Sequence, residues 1–438
     1  MHLTHRHLAA TTAVLLAGSM MVAGSATADS AAPVSRHAPA NVAHRAVDAP
    51  GQERSTLNGH GLYKVRLANT ADGRILVTWK WKKSASKRLK NWKIVTSTSR
   101  TTKTDVRVYH AKRKKRSIVV SHAASVTPAS GDYTFIKVYT VPKHGKKHGS
   151  ATHWIQAPVT ARPAGRGRVT IGSYNVRNAA LDKSGPHSWA NRGPKVIATI
   201  KSSGAGIVNV QEASGDSANS SGAYLSQLDD IAAGTGLSLV HGDHVFFKDA
   251  RGNGSGSQGT RILYNARLYS MSDPGFEGLT GNRFIEWALF TDRTTGERFW
   301  DVSMHLYNGT KPSFEAIRVQ EAKQIITRVR QLRSTNGAEV FLAGDSNSTI
   351  YTKPKGLVHR TFIGAGFYDA FATTSIANQA YPTTNDFSFP VKPSPHRRDL
   401  ILSYGGPRGS YWYKNMFYNS AAQLASDHFM QVAQLPLG

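Results

Sequence analysis

From Arg168 to the carboxyl end, apolar runs of strand length alternate with stretches of helical periodicity, and polar motifs stand where the runs end. The runs 169–174, 206–211, 299–304 and 340–343 read as strands. Residues 194–200 read as a helix opening with Pro194 in its first turn. Leu225, Leu228, Ile231 and Ala232 share a helical face, and Ala322, Ile325, Ile326, Val329 and Leu332 mark a long helix. Strands alternating with helices make an α/β domain, and sheets of that class present ligand and catalytic groups at strand ends.

The preceding segment has a different texture. Residues 74–81, 105–109, 133–141 and 151–155 alternate polar and apolar with turns between them, the pattern of a small all-β sandwich. We expect that module over 56–160, with Trp79 in its core, a hinge at 161–167 and the α/β domain over 168–438. Residues 29–55, rich in Ala, Pro, His and Arg without periodicity, read as a disordered linker. Residues 1–28 read as a signal peptide: Arg6, an apolar stretch, then the small residues Ala26-Thr27-Ala28. The expected location is therefore extracellular. No cysteine is present, which excludes disulfides and thiolate chemistry and leaves packing to hold the fold.

A formal charge of +28 is spread unevenly. Residues 1–165 carry 27 Lys and Arg against 6 Asp and Glu; the remainder carries 28 against 21. The excess draws polyanions: nucleic acid first, an anionic cell-wall polymer or a membrane surface as alternatives, with no obligate protein partner evident. The run 112–116 and Lys82, Lys83, Lys87, Arg88, Lys90 and Lys93 form a candidate anion-binding face, or else a solvated hairpin tip.

The polar motifs carry the chemistry. In order they are Ser173-Tyr174-Asn175-Val176-Arg177, Val210-Gln211-Glu212, Ser303-Met304-His305-Leu306, Ala343-Gly344-Asp345-Ser346-Asn347, Arg397-Arg398-Asp399 and Ser426-Asp427-His428. Hydrolysis of a phosphodiester needs an activated water, relief of charge on the phosphoryl oxygens and help for the departing alkoxide. Glu212, Asn175 and Asp427 are hard oxygen ligands suited to Mg²⁺, with Mn²⁺ or Ca²⁺ as alternatives. His428 with Asp399 could form a proton-transfer pair. Asp345 and Asn347, two apart on an extended segment, would address one water or phosphate. Arg177 and Arg283 are candidate phosphate clamps.

In this order the motifs resemble the endonuclease/exonuclease/phosphatase superfamily, the deoxyribonuclease-I-like fold, and Trp189-Ala190-Asn191-Arg192 adds to the likeness. The alternating module resembles fibronectin type III. The first resemblance implies a four-layered αββα sandwich, a Mg²⁺-dependent hydrolase, Glu212 as main metal ligand with Asn175 and Asp427 beside it, and Asp345 orienting or deprotonating the water. It further implies Asn347 on the phosphate, His428 held by Asp399 as principal histidine, and His305 against the phosphate from the other side. One departure stands out: where some members brace the first histidine with a carboxylate, this chain has Gln258. An amide raises a histidine's basicity less than a carboxylate does.

The expected function is a secreted nuclease acting on DNA or RNA. A sphingomyelinase-like lipid phosphodiesterase or a phosphatase on the same fold is the alternative, and an inert wall- or polyanion-binding protein the second. For the aromatic run Tyr411, Trp412, Tyr413, Phe417 and Tyr418, a half-buried strand competes with a lip that stacks bases or enters a membrane.

Overall fold

The computed structural model describes residues 62–81, 88–128, 130–160, 163–182, 184–213, 227–241, 259–349, 351–352, 356–418 and 420–438. The expected signal peptide and linker, Lys82, Lys83, Lys87, Leu225 and Gln258 lie outside them.

The named elements among the described residues of the amino-terminal part are strands: β1 (Leu62–Asn69), β2 (Ile75–Trp81), β3 (Leu89–Ser97), β4 (Arg107–Lys112), β5 (Ser117–Val120), β6 (Tyr133–Pro142), β7 (His148–Gly149) and β8 (His153–Gln156). They form one sheet in the order β1-β2-β5 and another in the order β4-β3-β6-β7, with β8 also on β6. Alternation decides which side is dry. Ile75, Val77, Trp79 and Trp81 of β2 are buried, and they meet Trp92, Ile94, Ile136 and Val138 of the other sheet in one apolar cluster. Trp79 is in the core as expected, 5.3 Å from the ring of the fully buried Trp92. Asp105 is not in a strand: it has φ +49° and accepts the Ser125 backbone N–H, so β4 begins at Arg107.

The rest is mixed α/β. It contains β9 (Gly167–Asn175), α1 (Trp189–Ser203), β10 (Ile207–Gln211), α2 (Gln227–Thr235), β11 (Ser238–Leu239), β12 (Arg261–Tyr264), β13 (Tyr269–Leu279), β14 (Arg283–Asp292) and β15 (Arg298–His305). After them come α3 (Pro312–Asn336), β16 (Glu339–Asp345), α4 (Leu357–Gly364), β17 (Tyr368–Asp369), β18 (Ile376–Ala377), β19 (Asp399–Tyr404), β20 (Trp412–Asn415) and β21 (Gln431–Leu437). One sheet runs β11-β12-β10-β9-β21-β20-β18 and the other β13-β14-β15-β16-β19-β17. Val169, Ile171 and Ile207 of the first share an apolar cluster with Phe299, Phe341 and Ile401 of the second. A separate cluster joins the first sheet to Val196, Ile200, Leu228 and Ile231 of α1 and α2. Another joins the second to Ala322, Ile325, Val329 and Phe362 of α3 and α4. The faces of α2 and α3 are those read from periodicity; α4 was not foreseen.

α1 departs from expectation. It starts at Trp189, so Pro194 lies inside it and forgoes one backbone hydrogen bond. Tertiary anchors outweigh that loss: Trp189 Nε1 donates to Asp230 at 2.8 Å, and buried Arg192 donates to the carbonyls of His187, Val176 and Arg177. These bonds tie the helix start to the chain leaving β9.

All described residues fall in one compact unit. Gln156 Nε2 donates to the Thr373 carbonyl at 2.9 Å, and Val159 N to that of Ala372 at 2.9 Å. Tyr133 sets its edge against Phe371, and Phe135 against Tyr351. The all-strand segment is thus packed on the α/β part through buried aromatics.

Candidate active site

β9, β10, β15 and β16 end on the same side of their sheets, because β9 is parallel to β10 and β15 is parallel to β16. Asn175 is in register with Gln211, and His305 with Asp345, which in turn pairs with Asp399 across the antiparallel β19. The register itself therefore collects the motif residues. Close approach of β15 and β16 depends on Gly344, whose φ is +151° and where a Cβ would lie 1.9 Å from the Met304 carbonyl oxygen.

Three motif residues without glycine's freedom hold left-handed backbone: Arg177 at φ +60°, Glu212 at +62° and Asn347 at +48°. Such conformations cost of order 1–3 kcal/mol each and persist where the surroundings hold them. At Asn347 the cause is visible. Its backbone N–H donates to Asp345 Oδ1 at 2.7 Å and its Nδ2 to the Leu306 carbonyl at 2.9 Å. The segment is therefore a turn closed by the aspartate, not the extended strand expected from the spacing.

Asp345 is the centre. Its Oδ2 lies 3.7 Å from His305 Nε2 and 3.8 Å from His428 Nε2, and accepts from Asn175 Nδ2 at 3.1 Å. The same Nδ2 donates to Glu212 Oε1 at 3.0 Å, while Asn178 N donates to Glu212 Oε2 at 3.2 Å. His428 Nδ1 stands 3.0 and 3.1 Å from the two oxygens of Asp399. Asp345, Asp399, His305 and His428 are buried, whereas Glu212 keeps a quarter of its side chain open to solvent.

The two histidines are tuned in opposite directions. Burial would lower the pKa of His428, but the charges of Asp399 and Asp345 outweigh it and hold it at about 10. Burial pushes the Asp399 carboxyl up against the pull of His428; with Nδ1 bonded to both oxygens, we read the pair as imidazolium and carboxylate. His305 is lowered to about 4, by burial first and then by the Arg283 guanidinium. Arg283 Nη1 approaches His305 Nδ1 at 3.4 Å, which makes Nδ1 the acceptor and leaves the hydrogen on Nε2. That buried Nε2 has no hydrogen-bond partner among the described residues. Asp345 and Glu212 are both brought below the ordinary carboxylate range. Burial opposes this in each; His428 leads the lowering at Asp345, and at Glu212 His305 does so only while protonated, which leaves the Asn175 amide at neutral pH.

Not every expected role matches the geometry. Arg177 donates through Nε to Asp182 at 2.8 Å and through Nη1 to Asp427 at 3.1 Å, so it is held by two carboxylates. Asp427 is bound to that arginine and to Ser426 Oγ. Asn175 turns its amide N–H groups toward the carboxylates and its oxygen toward the Arg177 N–H. Arg283 stands against His305, the histidine for which Gln258 was expected in place of a carboxylate brace. Asp182, Asn178 and Ser426 were not picked out as individual site residues. Their contacts, Asp182 with Arg177, Asn178 N–H with Glu212 and Ser426 Oγ with the Asn175 carbonyl, leave no mark in the periodicity.

The residues fit a hard divalent cation. Two carboxylates, Glu212 and Asp345, converge on one amide, and like charges so close need a counter-charge. The opening at Glu212 leaves room for the waters Mg²⁺ retains. Asp345, Asp399 and His428 also lie close enough to hold a metal, with ligand atoms within 4.8 Å of one another. His428 Nδ1 is spent on Asp399 there, so the Glu212 side fits better.

The aromatic run is the half-buried strand: Tyr413 is buried in β20, and Phe417 stacks on Tyr381 with centroids 3.6 Å apart. No helix of the described residues is long and apolar enough to cross a membrane.

No family model and no curated protein matches the sequence. Similar solved structures include an endonuclease/exonuclease/phosphatase from Bacteroides vulgatus, 20% identical, with 62% of this chain and 100% of that chain covered and a TM-score of 0.47. A mannosyl-6-phosphatase from Bacteroides thetaiotaomicron is 19% identical over 60% of this chain and 98% of that chain, at 0.46. The human Nocturnin catalytic domain, with bound sulfate, is 13% identical over 63% and 97%, at 0.45. With TM-scores below 0.5, these likenesses carry no chemistry to this chain.

Proposed function

We propose that the chain is a metal-assisted phosphoesterase acting on phosphodiester bonds of nucleic acid outside the cell. The observation that carries this reading is the unpartnered His305 Nε2–H facing Asp345 and Glu212, opposite the His428–Asp399 pair. A buried donor without an acceptor is costly and calls for an anionic oxygen. The four-layered αββα arrangement rests on the three apolar clusters that tie the two large sheets to each other and to their helices. The reading of 56–160 as a fibronectin-like module rests on the cluster shared by the two smaller sheets.

Glu212, with Asp345 beside it, would hold the cation, which supplies Lewis-acid polarisation of a phosphoryl oxygen when bound. Asp345, fixed through Oδ1 by Asn347 N–H and through Oδ2 by Asn175, orients the attacking water and accepts its proton. His305 stays neutral and donates Nε2–H to a phosphoryl oxygen. His428 stays protonated and offers Nε2–H from the other side. A pKa near 10 makes it a stabiliser of developing negative charge more than a fast proton donor. Asn347 keeps one amide hydrogen beyond the bond to Leu306 for the same phosphate.

Burial of Tyr413 and stacking of Phe417 on Tyr381 favour the strand reading of the aromatic run over a membrane lip, and with it nucleic acid over lipid. The test is to incubate the mature protein with supercoiled DNA, RNA and sphingomyelin, each with and without Mg²⁺. Cleavage of a nucleic acid only with metal supports the proposal; hydrolysis of sphingomyelin alone would replace it.

A further inference from the structure

β15 ends at His305 and β16 at Asp345, and the chain after each runs outside the strands, so its buried polar groups need partners of their own. After His305 the partners come in order. Leu306 N donates to the Asp345 carbonyl at 3.0 Å, and the Leu306 carbonyl accepts Asn347 Nδ2 at 2.9 Å. Tyr307 N donates to Glu321 Oε2 at 2.8 Å, and the Tyr307 carbonyl accepts Arg318 Nε at 2.7 Å. The Gly309 carbonyl accepts Arg318 Nη2. After Asn347, the Ser348 hydroxyl donates to Glu315 Oε1 at 2.7 Å.

Glu315, Arg318 and Glu321 stand three residues apart on α3, and all three are buried. Arg318 Nη1 donates to Glu315 Oε2 at 2.7 Å, with 1% and 0% of the two side chains exposed. One ion pair therefore joins the segment behind His305 to the segment behind Asn347. The guanidinium sets the geometry of that join. Nε, Nη1 and Nη2 lie in one plane and each has its own acceptor, so two carbonyls and a carboxylate are held around a rigid fork. A lysine carries the charge on a single nitrogen and cannot reproduce that spacing.

Stability alone is a weak reason for such a pair. Desolvation offsets most of the attraction between two buried charges, and apolar side chains of similar volume often serve a core as well. Apolar side chains cannot, however, fix the direction of carbonyl and hydroxyl groups on two separate segments. The segments held here are those that carry His305 and Asn347, the two donors assigned to the phosphate.

We propose that Arg318, held by Glu315, is a positioning residue of the active site: it sets the His305 and Asn347 segments in one geometry, so that both donors meet the same phosphate. The proposal rests on the phosphoesterase reading of the site and is indifferent to which phosphate ester is cleaved. The test is a double-mutant cycle in kcat on the mature protein with Mg²⁺, using whichever of plasmid DNA, RNA and sphingomyelin the wild type hydrolyses. Arg318→Lys should lower kcat on the order of 10–100-fold, the effect of misplacing reacting groups by up to about 1 Å. KM should stay within about threefold, since the loss falls on the transition state. In the His305→Ala background the same change should cost no more than about threefold, because a group it positions is already gone. Arg328→Lys is the control: the same change on the same helix, at the partly exposed pair with Glu277, should keep kcat within about twofold of wild type. Losses that multiply in the Arg318→Lys, His305→Ala double variant would overturn the proposal, as would equal losses in Arg318→Lys and Arg328→Lys. Should Arg318→Lys fail to fold, Ser348→Ala removes one hydroxyl from the other segment and is set against Asn347→Ala in the same cycle, with the same two outcomes. Hydrolysis of sphingomyelin alone would strike the nucleic-acid reading, and the cycle would be run on that ester. Hydrolysis of none of the three would strike the phosphoesterase reading and this proposal with it.

Discussion

His428 and Asp399 form a two-oxygen contact: Nδ1 of the imidazole lies 3.0 and 3.1 Å from the two carboxylate oxygens, with both residues buried. The strand β19 fixes the aspartate, since Asp399 pairs with Asp345 across the sheet and its backbone N–H donates to Thr383 Oγ1. One carboxylate thus sets both the orientation and the charge of the histidine that faces Asp345.

Because that charge is expected to act in the transition state, His428→Ala should lower turnover by about 10²–10⁴. Asp399→Asn should cost less, since the imidazole stays in place while its positive charge is less favoured. The check is kcat on plasmid DNA, with circular dichroism to confirm folding. Equal and small losses in both variants would separate the pair from the chemistry.

His305 should behave differently. Arg283 and burial hold it neutral, so its part is to donate one hydrogen bond through Nε2. His305→Gln should therefore cost less than His428→Gln, and it should leave the pH profile of turnover in place. A lost or displaced acid limb in His305→Gln would show that His305 titrates during catalysis.

Much of this site was legible in the strand-end motifs, because hydrogen-bond register brings strand ends together once the sheet order is set. Glu212, His305, Asp345, Asn347, Asp399 and His428 all fall in or beside the cluster. What the sequence withheld is long-range or conformational. Nothing in the residue pattern says that Arg283 stands behind His305, or that Arg177 is tied to Asp182 and Asp427. Left-handed backbone at Arg177, Glu212 and Asn347 runs against local preference and is imposed by neighbours. The start of α1 was missed for the same reason, since Trp189 and Arg192 are anchored by distant groups.

Docking of the all-strand segment was also invisible in sequence, and it makes a stability prediction. Asp369 accepts from Arg397 and from His359 Nε2 at 2.9 Å, Arg397 lies 4.0 Å over the Phe371 ring, and Gly131 packs so closely that a Cβ would meet Asp369 Oδ2 at 2.4 Å. Burial raises the Asp369 carboxyl, but Arg397 and His359 outweigh it and bring it to about 2. A depressed carboxylate stabilises the fold fully above its unfolded value near 3.9 and loses that contribution as pH falls through about 2. Asp369→Asn should cost about 3–5 kcal/mol at neutral pH, because it leaves Arg397 buried without a counter-charge. In urea titrations the gap from wild type should narrow toward pH 2, and a gap independent of pH would contradict this.

Deleting residues up to 162 removes Tyr133 and Phe135 from Phe371 and Tyr351. A freely tethered module would leave turnover nearly unchanged, as its sequence alone allows. The packed interface instead predicts a lower melting temperature and lower turnover for the truncated chain. Tyr133→Ala should destabilise by about 3–5 kcal/mol, the range for a buried aromatic. A truncated protein that melts at the wild-type temperature would contradict the interface.

The most direct test of the account is a Mg²⁺ titration of phosphodiester hydrolysis on the mature protein, wild type against Glu212→Gln, starting from chelated enzyme. The account predicts no turnover in chelator, recovery with Mg²⁺ or Mn²⁺, and a Glu212→Gln curve displaced to higher metal by at least about tenfold, the scale on which lost ligand contacts act. Undiminished turnover in excess chelator, or a Glu212→Gln curve that overlays wild type, would contradict it.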